Sequence, residues 1–143
     1  MNNNFDFVET LSPEVAALLN QADDYLNFQN DPHAAIIKTG CAVELIIKEI
    51  ETRENISFRP GDASLQKRIW NLEGKIDLPE VIAEAMNFIR VKRNEANHEV
   101  KATEYDAKEC LKKAHKILHW FVNRYTMRIC PEYKPLQGIK III

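Results

Sequence analysis

Apolar residues recur every three to four positions in several segments of the chain, and these segments are separated by short stretches rich in Asn, Asp, Pro and Gly. This spacing places the apolar side chains on one face of an α-helix. The pattern predicts helices at about 13–28, 32–52, 64–74, 79–98 and 103–128. Joined by short loops, they predict an all-α, up-and-down bundle of four to five helices over residues 1–130.

The predicted helix starts carry recognisable capping residues. The first two predicted helices begin with Ser12-Pro13 and Asp31-Pro32. In each pair the Ser or Asp side chain can act as N-cap, and proline favours the first helical position. The later helices begin after Ser64, at Pro79 and after Thr103, and Thr103 with Asp106 resembles a capping box.

The second predicted helix is apolar on more than one face between Ala34 and Ile47. Such a helix is covered on several sides, either at the centre of a bundle or at an oligomer interface. Gly40 in its middle costs about 1 kcal/mol of helix stability relative to Ala. We therefore expect a neighbouring helix to approach closely at Gly40.

Residues 131–143 form a C-terminal tail that differs from the bundle. The tail ends in the apolar, β-prone run Ile139–Ile143. A free terminus of this composition is prone to aggregation. We expect the tail to dock on the bundle or a partner, or to lead into a continuation of the natural chain.

Charge and cysteine content limit the possible functions. The formal net charge of −2 argues against nonspecific coating of nucleic acid, so contact with phosphates requires a local basic patch. Cys41, Cys110 and Cys130 are widely separated and are expected to be buried, reduced thiols. The chain begins without signal-peptide features and contains no apolar run of membrane-spanning length, which predicts a cytoplasmic protein without membrane contact.

The segment Arg93–His98 is the strongest candidate for chemistry. Continuing the apolar stripe of the fourth predicted helix leads to Arg93, so a guanidinium stands where a core residue is expected. A structural explanation is that Arg93 pairs with an acid on a neighbouring helix, for which Glu44 is one candidate. A functional explanation is that Arg93 binds an anion.

The position of His98 bears on these two explanations. His98 lies about 140° around an ideal helix from Arg93, so the two share a face only if the helix ends or distorts between them. Asn94 and Asn97 are compatible with such an end. Basic residues also cluster here against Glu95 and Glu99, namely Arg90, Lys92, Arg93 and Lys101.

These residues carry a resemblance to a known superfamily. Arg93-x4-His98, with Asn94 after the arginine and in the second-to-last long helix, resembles the Arg-x4-His signature of the HEPN superfamily. The wider segment from Ile89 to Glu99 is similar to a HEPN-related bacterial domain of unassigned function. That domain occurs alone or at the N-terminus of restriction-type helicase subunits. The resemblance covers roughly residues 30–128.

The resemblance implies a homodimer whose motifs face each other across the two-fold axis, often with metal-independent ribonuclease activity and no cofactor. His98 would then act as general acid or base and Arg93 would stabilise charge on the phosphate. Asn94 would orient His98 or the phosphate, and Glu44 would hold Arg93. The setting implied is bacterial defence, as in toxin–antitoxin or restriction-modification systems, with a cognate antitoxin or a larger restriction-helicase machinery as partner.

One departure leaves a choice between arginines. The relatives usually have Gly before the Asn, where this chain has Arg93, while Arg90 matches their own arginine. Arg90 and Asn97 are therefore supporting candidates, and either arginine can enter the site. Many HEPN domains are inactive, so the alternative function is a non-catalytic dimerisation or regulatory module of a restriction-helicase type protein.

Four weaker signals have simpler interpretations. His115 and His119 have a spacing that can bind zinc but lack a third ligand, so a solvated or edge position is favoured. His33 has no evident partner. Trp70 and Trp120 are predicted to be core or interface aromatics.

Overall fold

The computed structural model describes residues 4–98, 101–126 and 132–135. These residues form five α-helices and two short 3-10 turns, at Asp6–Val8 and Pro60–Asp62, and contain no strand. The helices are α1 (Pro13–Asn27), α2 (Pro32–Arg53), α3 (Leu65–Ile76), α4 (Glu80–Asn97) and α5 (Glu104–Tyr125). The prediction of an all-α bundle is confirmed.

Four of the five helices begin at the capping residues expected from the sequence. Each capping side chain accepts a hydrogen bond from the backbone N–H three residues later, and the four are Ser12, Asp31, Ser64 and Thr103. The end of α3 differs from the prediction, because the helix continues past Gly74 and stops at Asp77, which adopts a left-handed conformation with φ 58°. The predicted end of α5 near Arg128 lies outside the described residues.

Helix α2 is the central element of the bundle. It packs against α1, α3, α4 and α5, and its buried residues cover about half of its circumference at 3.6 residues per turn. This burial explains why its sequence is apolar on more than one face. The core also includes Phe5 before α1 and Phe121 of α5, both fully buried.

A polar cluster connects the two ends of the described chain to α1. Asp23 is fully buried and accepts hydrogen bonds from Asn4 (3.2 Å) and the hydroxyl of Tyr133 (3.2 Å). Asn4 also makes two hydrogen bonds with the backbone of Lys134. Burial raises the pKa of Asp23 to about 6, against the opposing effect of these hydrogen bonds. The run Ile139–Ile143 lies outside the described residues.

A buried ion pair joins α2 to α3. Arg68 donates two hydrogen bonds to Glu51, at 2.7 and 3.0 Å, and both side chains are at most 10% exposed. The guanidinium also lies over the ring of Phe58, 4.7 Å from its centroid. This bidentate geometry satisfies two charges that would otherwise be costly to bury.

The cysteines only partly match the expectation of buried thiols. Cys110 is buried and unbonded, and burial raises the pKa of its thiol to about 12. Cys41 is a free thiol that is only half-buried, because it lies toward the outer side of α2. Cys130 lies outside the described residues.

Candidate functional site

The candidate site lies at the C-terminal end of α4, where the helix stops within the Arg93–His98 segment. The last helical residue is Asn97, and His98 caps the helix with φ −98° and ψ 21°, outside the helical region. The backbone N–H of His98 still bonds to the carbonyls of Asn94 and Glu95. Asn94, Asn97 and His98 are all exposed, so solvent or a ligand can reach each of these side chains.

Arg93 is held against α2 by a close contact with Gly40. A Cβ atom added to Gly40 would lie 2.8 Å from both Cβ and Cγ of Arg93, and closer still to its Cδ. Only glycine therefore leaves room for the arginine stem on this part of α2. The close approach expected at Gly40 is thus made by the Arg93 side chain.

The guanidinium of Arg93 forms an ion pair with Glu44, the acid suggested by the sequence. Nη1 of Arg93 lies 2.9 Å from Oε1 of Glu44. The arginine side chain is 16% exposed and the glutamate side chain 49% exposed, so the pair lies at the protein surface. Nε of Arg93 is buried without a hydrogen-bond partner among the described residues.

His33 is a neighbour of the site that the sequence analysis did not find. Its Nε2 lies 2.9 Å from the carbonyl oxygen of Ala96 in the last turn of α4. Because α2 and α4 are antiparallel, the start of α2 reaches the end of α4. The sequence predicted a close approach at Gly40. If that contact had been assigned to Arg93 on an antiparallel α4, His33 would have been placed beside the motif.

The two candidate arginines of α4 contact different neighbours. Arg93 packs on α2, whereas Arg90 donates a hydrogen bond to Asn87 (3.1 Å) and lines a surface pocket with Trp70 of α3. The structure therefore places Arg93 against Glu44 and separates Arg90 from that pair. Arg90 is adjacent to the motif in sequence, but it lines the pocket beside Trp70 and does not join the contact with Glu44.

The basic cluster expected here is partly neutralised. Lys92 forms ion pairs with Glu95 and Asp106, each at 3.4 Å. Burial disfavours the charged form of Lys92, but Asp106 and Glu95 outweigh that effect and raise the pKa of its ammonium group. With Arg93 paired to Glu44, Arg90 is the cation of this helix that has no carboxylate partner among the described residues.

The zinc interpretation of His115 and His119 finds no support in the described residues. His115 is buried, and its ring packs near the rings of Phe5, Phe7 and Tyr133, so the expectation of a solvated or edge position is wrong for it. His119 is exposed. No group of three or more His, Cys, Asp or Glu residues suited to a metal ion occurs in residues 4–98, 101–126 and 132–135.

The two tryptophans also differ from each other. Trp120 is partly buried against the core, as expected. Trp70 is 74% exposed, so of the two expected positions, core or interface, the core is wrong for it. The residues beside it on α3 are polar and do not bury the indole.

Comparison with known families identifies one match. A family model described as "Domain of unknown function (DUF4145)" matches residues 7–137, and the chain belongs to this family. No curated protein and no solved structure matches the chain. Across the described part of the chain, no helix has the length and apolarity required to cross a membrane.

Proposed function

We propose that this protein is a HEPN-like homodimer that contacts RNA at the end of α4 and cleaves it without a metal ion. The observation that carries the proposal is the arrangement of Arg93 and His98. Arg93 is fixed by Gly40 and Glu44 just before the helix ends, and His98 is exposed where the backbone leaves helical geometry. This is the helix end that the Arg-x4-His spacing requires if both residues are to act on one anion.

The residues present are suited to phosphate chemistry. Glu44 bonds to one terminal nitrogen of Arg93, and the other has no partner among the described residues, so it can donate to a phosphate oxygen. The imidazole of a histidine can both accept and donate a proton, so His98 can remove a proton from the ribose 2′-hydroxyl or return one to the leaving oxygen. Asn94 and Asn97 add exposed amides beside it.

The biological setting is proposed from the resemblance alone. An RNA-cleaving domain of this kind fits a bacterial defence or toxin–antitoxin system, with a cognate antitoxin as partner. In this arrangement the second copy brings its own α4 end to the axis of the dimer. Two Arg93–His98 pairs would then line one RNA-binding cleft.

A second candidate function is a non-catalytic dimerisation or regulatory module of a restriction-helicase type protein. The Arg93–Glu44 ion pair favours it, because an intramolecular carboxylate already compensates the arginine charge. The packing of the arginine stem over Gly40 is likewise explained by structure alone. This module would form the same dimer but leave RNA intact.

Cleavage of a mixed RNA pool in the presence of EDTA separates the two functions. The proteins compared are the wild type, His98→Ala and the matched control His119→Ala, which removes another exposed histidine from α5. We expect cutting by the wild type and the control, and a loss of at least about 100-fold for His98→Ala, the usual contribution of a general acid or base. Absence of cutting by all three proteins, each shown to be folded, would refute the nuclease.

Sizing by light scattering tests the dimer independently. A dimer is expected at micromolar protein concentration, where the cleavage assay is run. A monomer under these conditions would contradict both candidate functions, since each requires two copies.

A further inference from the structure

Trp70 lies on the outer face of α3 and lines three surface pockets, two of which also include residues outside this helix. Its side chain is 74% exposed, the highest fraction among the large exposed apolar residues of the described chain. One pocket, of about 460 Å³, is also lined by Phe58, Arg59 and Lys75. The other is lined by Asn87 and Arg90 of α4. Packing among the described residues does not explain why a large aromatic residue stands here.

Cations without carboxylate partners surround this tryptophan. Arg59, Lys75 and Arg90 have no ion pair within the described part of the chain. The other arginines described there are each paired with an acid, and they are Arg53, Arg68, Arg93 and Arg124. The acids nearby are Asp62, which pairs with Lys67, and Glu73. The two unpaired arginines thus both line the Trp70 pockets, on a chain whose net charge is −2.

Asn71 adds a hydrogen-bond donor to the larger pocket. Its Nδ2 is buried and has no hydrogen-bond partner among the described residues. A buried amide nitrogen without a partner is costly, and a ligand carbonyl would satisfy it. The pocket volume falls within the roughly 300–1,000 Å³ typical of small-ligand sites, which is ample for a single nucleobase.

We propose that the Trp70 surface binds an unpaired base of single-stranded RNA, with the indole as stacking platform and Arg59, Lys75 and Arg90 near the phosphates. The inference rests on the proposed function and names its substrate class. An exposed aromatic ring within a positive groove is the arrangement that single-stranded nucleic acids use. Asn71 donates to a carbonyl oxygen on the edge of the base.

The Trp70 surface is continuous with the candidate cleavage site. Arg90, Asn94 and Asn97 are spaced by four and three residues, so they lie along one face of α4. This face leads from the pocket beside Trp70 to His98, a distance of about 12 Å at 1.5 Å per residue. A strand held by one base at Trp70 therefore extends along α4 toward the histidine.

A protein partner fits this surface less well. The centres of protein interfaces are apolar and depleted in Lys and Glu. The residues that share the pockets with Trp70 are largely polar or charged, and they include Gln66, Lys67, Glu73 and Lys75. These polar and charged residues, together with the indole of Trp70, suit RNA, which has negatively charged phosphates and flat bases.

Binding of a short, fluorescently labelled single-stranded RNA, measured by anisotropy, tests the proposal. The RNA carries 2′-O-methyl groups so that it is not cut through its own 2′-hydroxyl. We expect Trp70→Ala to raise Kd by about 5- to 150-fold, the range for loss of one stacked base, and Trp70→Phe to raise it less. Trp120→Phe, the matched control, leaves Kd unchanged. In the Trp120→Phe variant Trp70 is the remaining tryptophan, and we expect saturating RNA to quench its fluorescence.

The outcomes separate this inference from the proposed function. An unchanged Kd for Trp70→Ala, with binding still lost on substitution of Arg93, would overturn the Trp70 site and leave the α4 site standing. A duplex of the same sequence that binds as tightly as the single strand would also overturn it. If Trp70→Ala alters the oligomeric state and not the RNA affinity, the surface is a protein interface. Absence of RNA binding by the wild type would refute the proposed function, and this inference with it.

Discussion

Replacement of Gly40 by alanine tests the contact that positions Arg93. The added Cβ would lie 2.8 Å from Cβ and Cγ of Arg93. Because the Cβ of Arg93 is fixed by the backbone of α4, rotation of the side chain alone does not relieve this overlap. Helices α2 and α4 must therefore move apart, and this movement also shifts the arginine away from Glu44.

The expected magnitude is the sum of opposing effects. Alanine gains about 1 kcal/mol over glycine in a helix interior. Overpacking costs about 1–3 kcal/mol, and loss of the partly exposed Arg93–Glu44 pair costs at most about 1 kcal/mol. These effects sum to a loss of roughly 0–3 kcal/mol, and we expect Gly40→Ala to lower the free energy of unfolding by about 1–2 kcal/mol, near the middle of that range.

Gly74→Ala is the matched control. Gly74 is also helical, and an added Cβ would meet nothing within 4 Å. This substitution should raise the free energy of unfolding by up to about 1 kcal/mol, because only the helix propensity changes. In an Arg93→Gly background, which removes the Cβ of residue 93 together with the rest of the side chain, Gly40→Ala should behave in the same way.

Urea denaturation monitored by circular dichroism measures all of these variants. The double-mutant cycle of Gly40 and Arg93 should give a coupling energy of about 2 kcal/mol, since the two residues are in contact. If Gly40→Ala is as stabilising as Gly74→Ala, Arg93 does not lie over Gly40. The account of how the arginine is held would then be wrong.

Two further predictions concern buried charges. Glu51→Ala should lower the free energy of unfolding, measured by urea denaturation, by about 3 kcal/mol or more, because it leaves the guanidinium of Arg68 buried without its partner. Replacing both residues by Met should cost much less, because no charge is then left buried. Asp23 has its pKa raised from 3.8 to about 6 by burial, so its contribution to stability is fully present below pH 3.8 and is lost as the pH rises through 6. Stability of the wild type relative to Asp23→Asn should therefore fall between pH 4 and 7 by about 3 kcal/mol, at 1.36 kcal/mol per pKa unit; a difference that is constant with pH would contradict this.

Helix positions could be predicted because their signals are local. Capping by Ser12, Asp31, Ser64 and Thr103 involves residues only three positions apart, so the sequence contains both partners. The end of α3 was misplaced because Gly74 is tolerated within the helix, and Asp77 adopts the left-handed conformation that glycine was expected to supply.

Side-chain environments were harder to predict, because they depend on how the helices are arranged. The burial of His115 depends on Phe5 and Tyr133, which come from opposite ends of the chain. The pairing of Glu51 with Arg68 likewise depends on the angle between α2 and α3. The exposure of Trp70 follows from the absence of any element that covers the outer face of α3 in the described residues.

The candidate site could be predicted only in part from the sequence. The phase of α4 identified Arg93 as a charged residue on a buried stripe, and Glu44 was a suitable acid on the adjacent helix. Arg90 and Arg93 are three positions apart and therefore neighbours on the helix surface, so the different contacts that they make depend on the placement of α2 and α3. The contact of His33 with Ala96 was not predicted, because it depends on the antiparallel arrangement of α2 and α4.

The most direct test of RNA contact at the end of α4 is a nuclear magnetic resonance titration of isotope-labelled protein with a short 2′-O-methyl RNA, which maps binding whether or not cleavage occurs. The account predicts that the largest shifts fall on the backbone amides of residues 93–98, the side-chain amides of Asn94 and Asn97, and the ring of His98. Shifts confined to other surfaces, or none at RNA concentrations that saturate the anisotropy signal, would contradict the claim that this helix end is the RNA site.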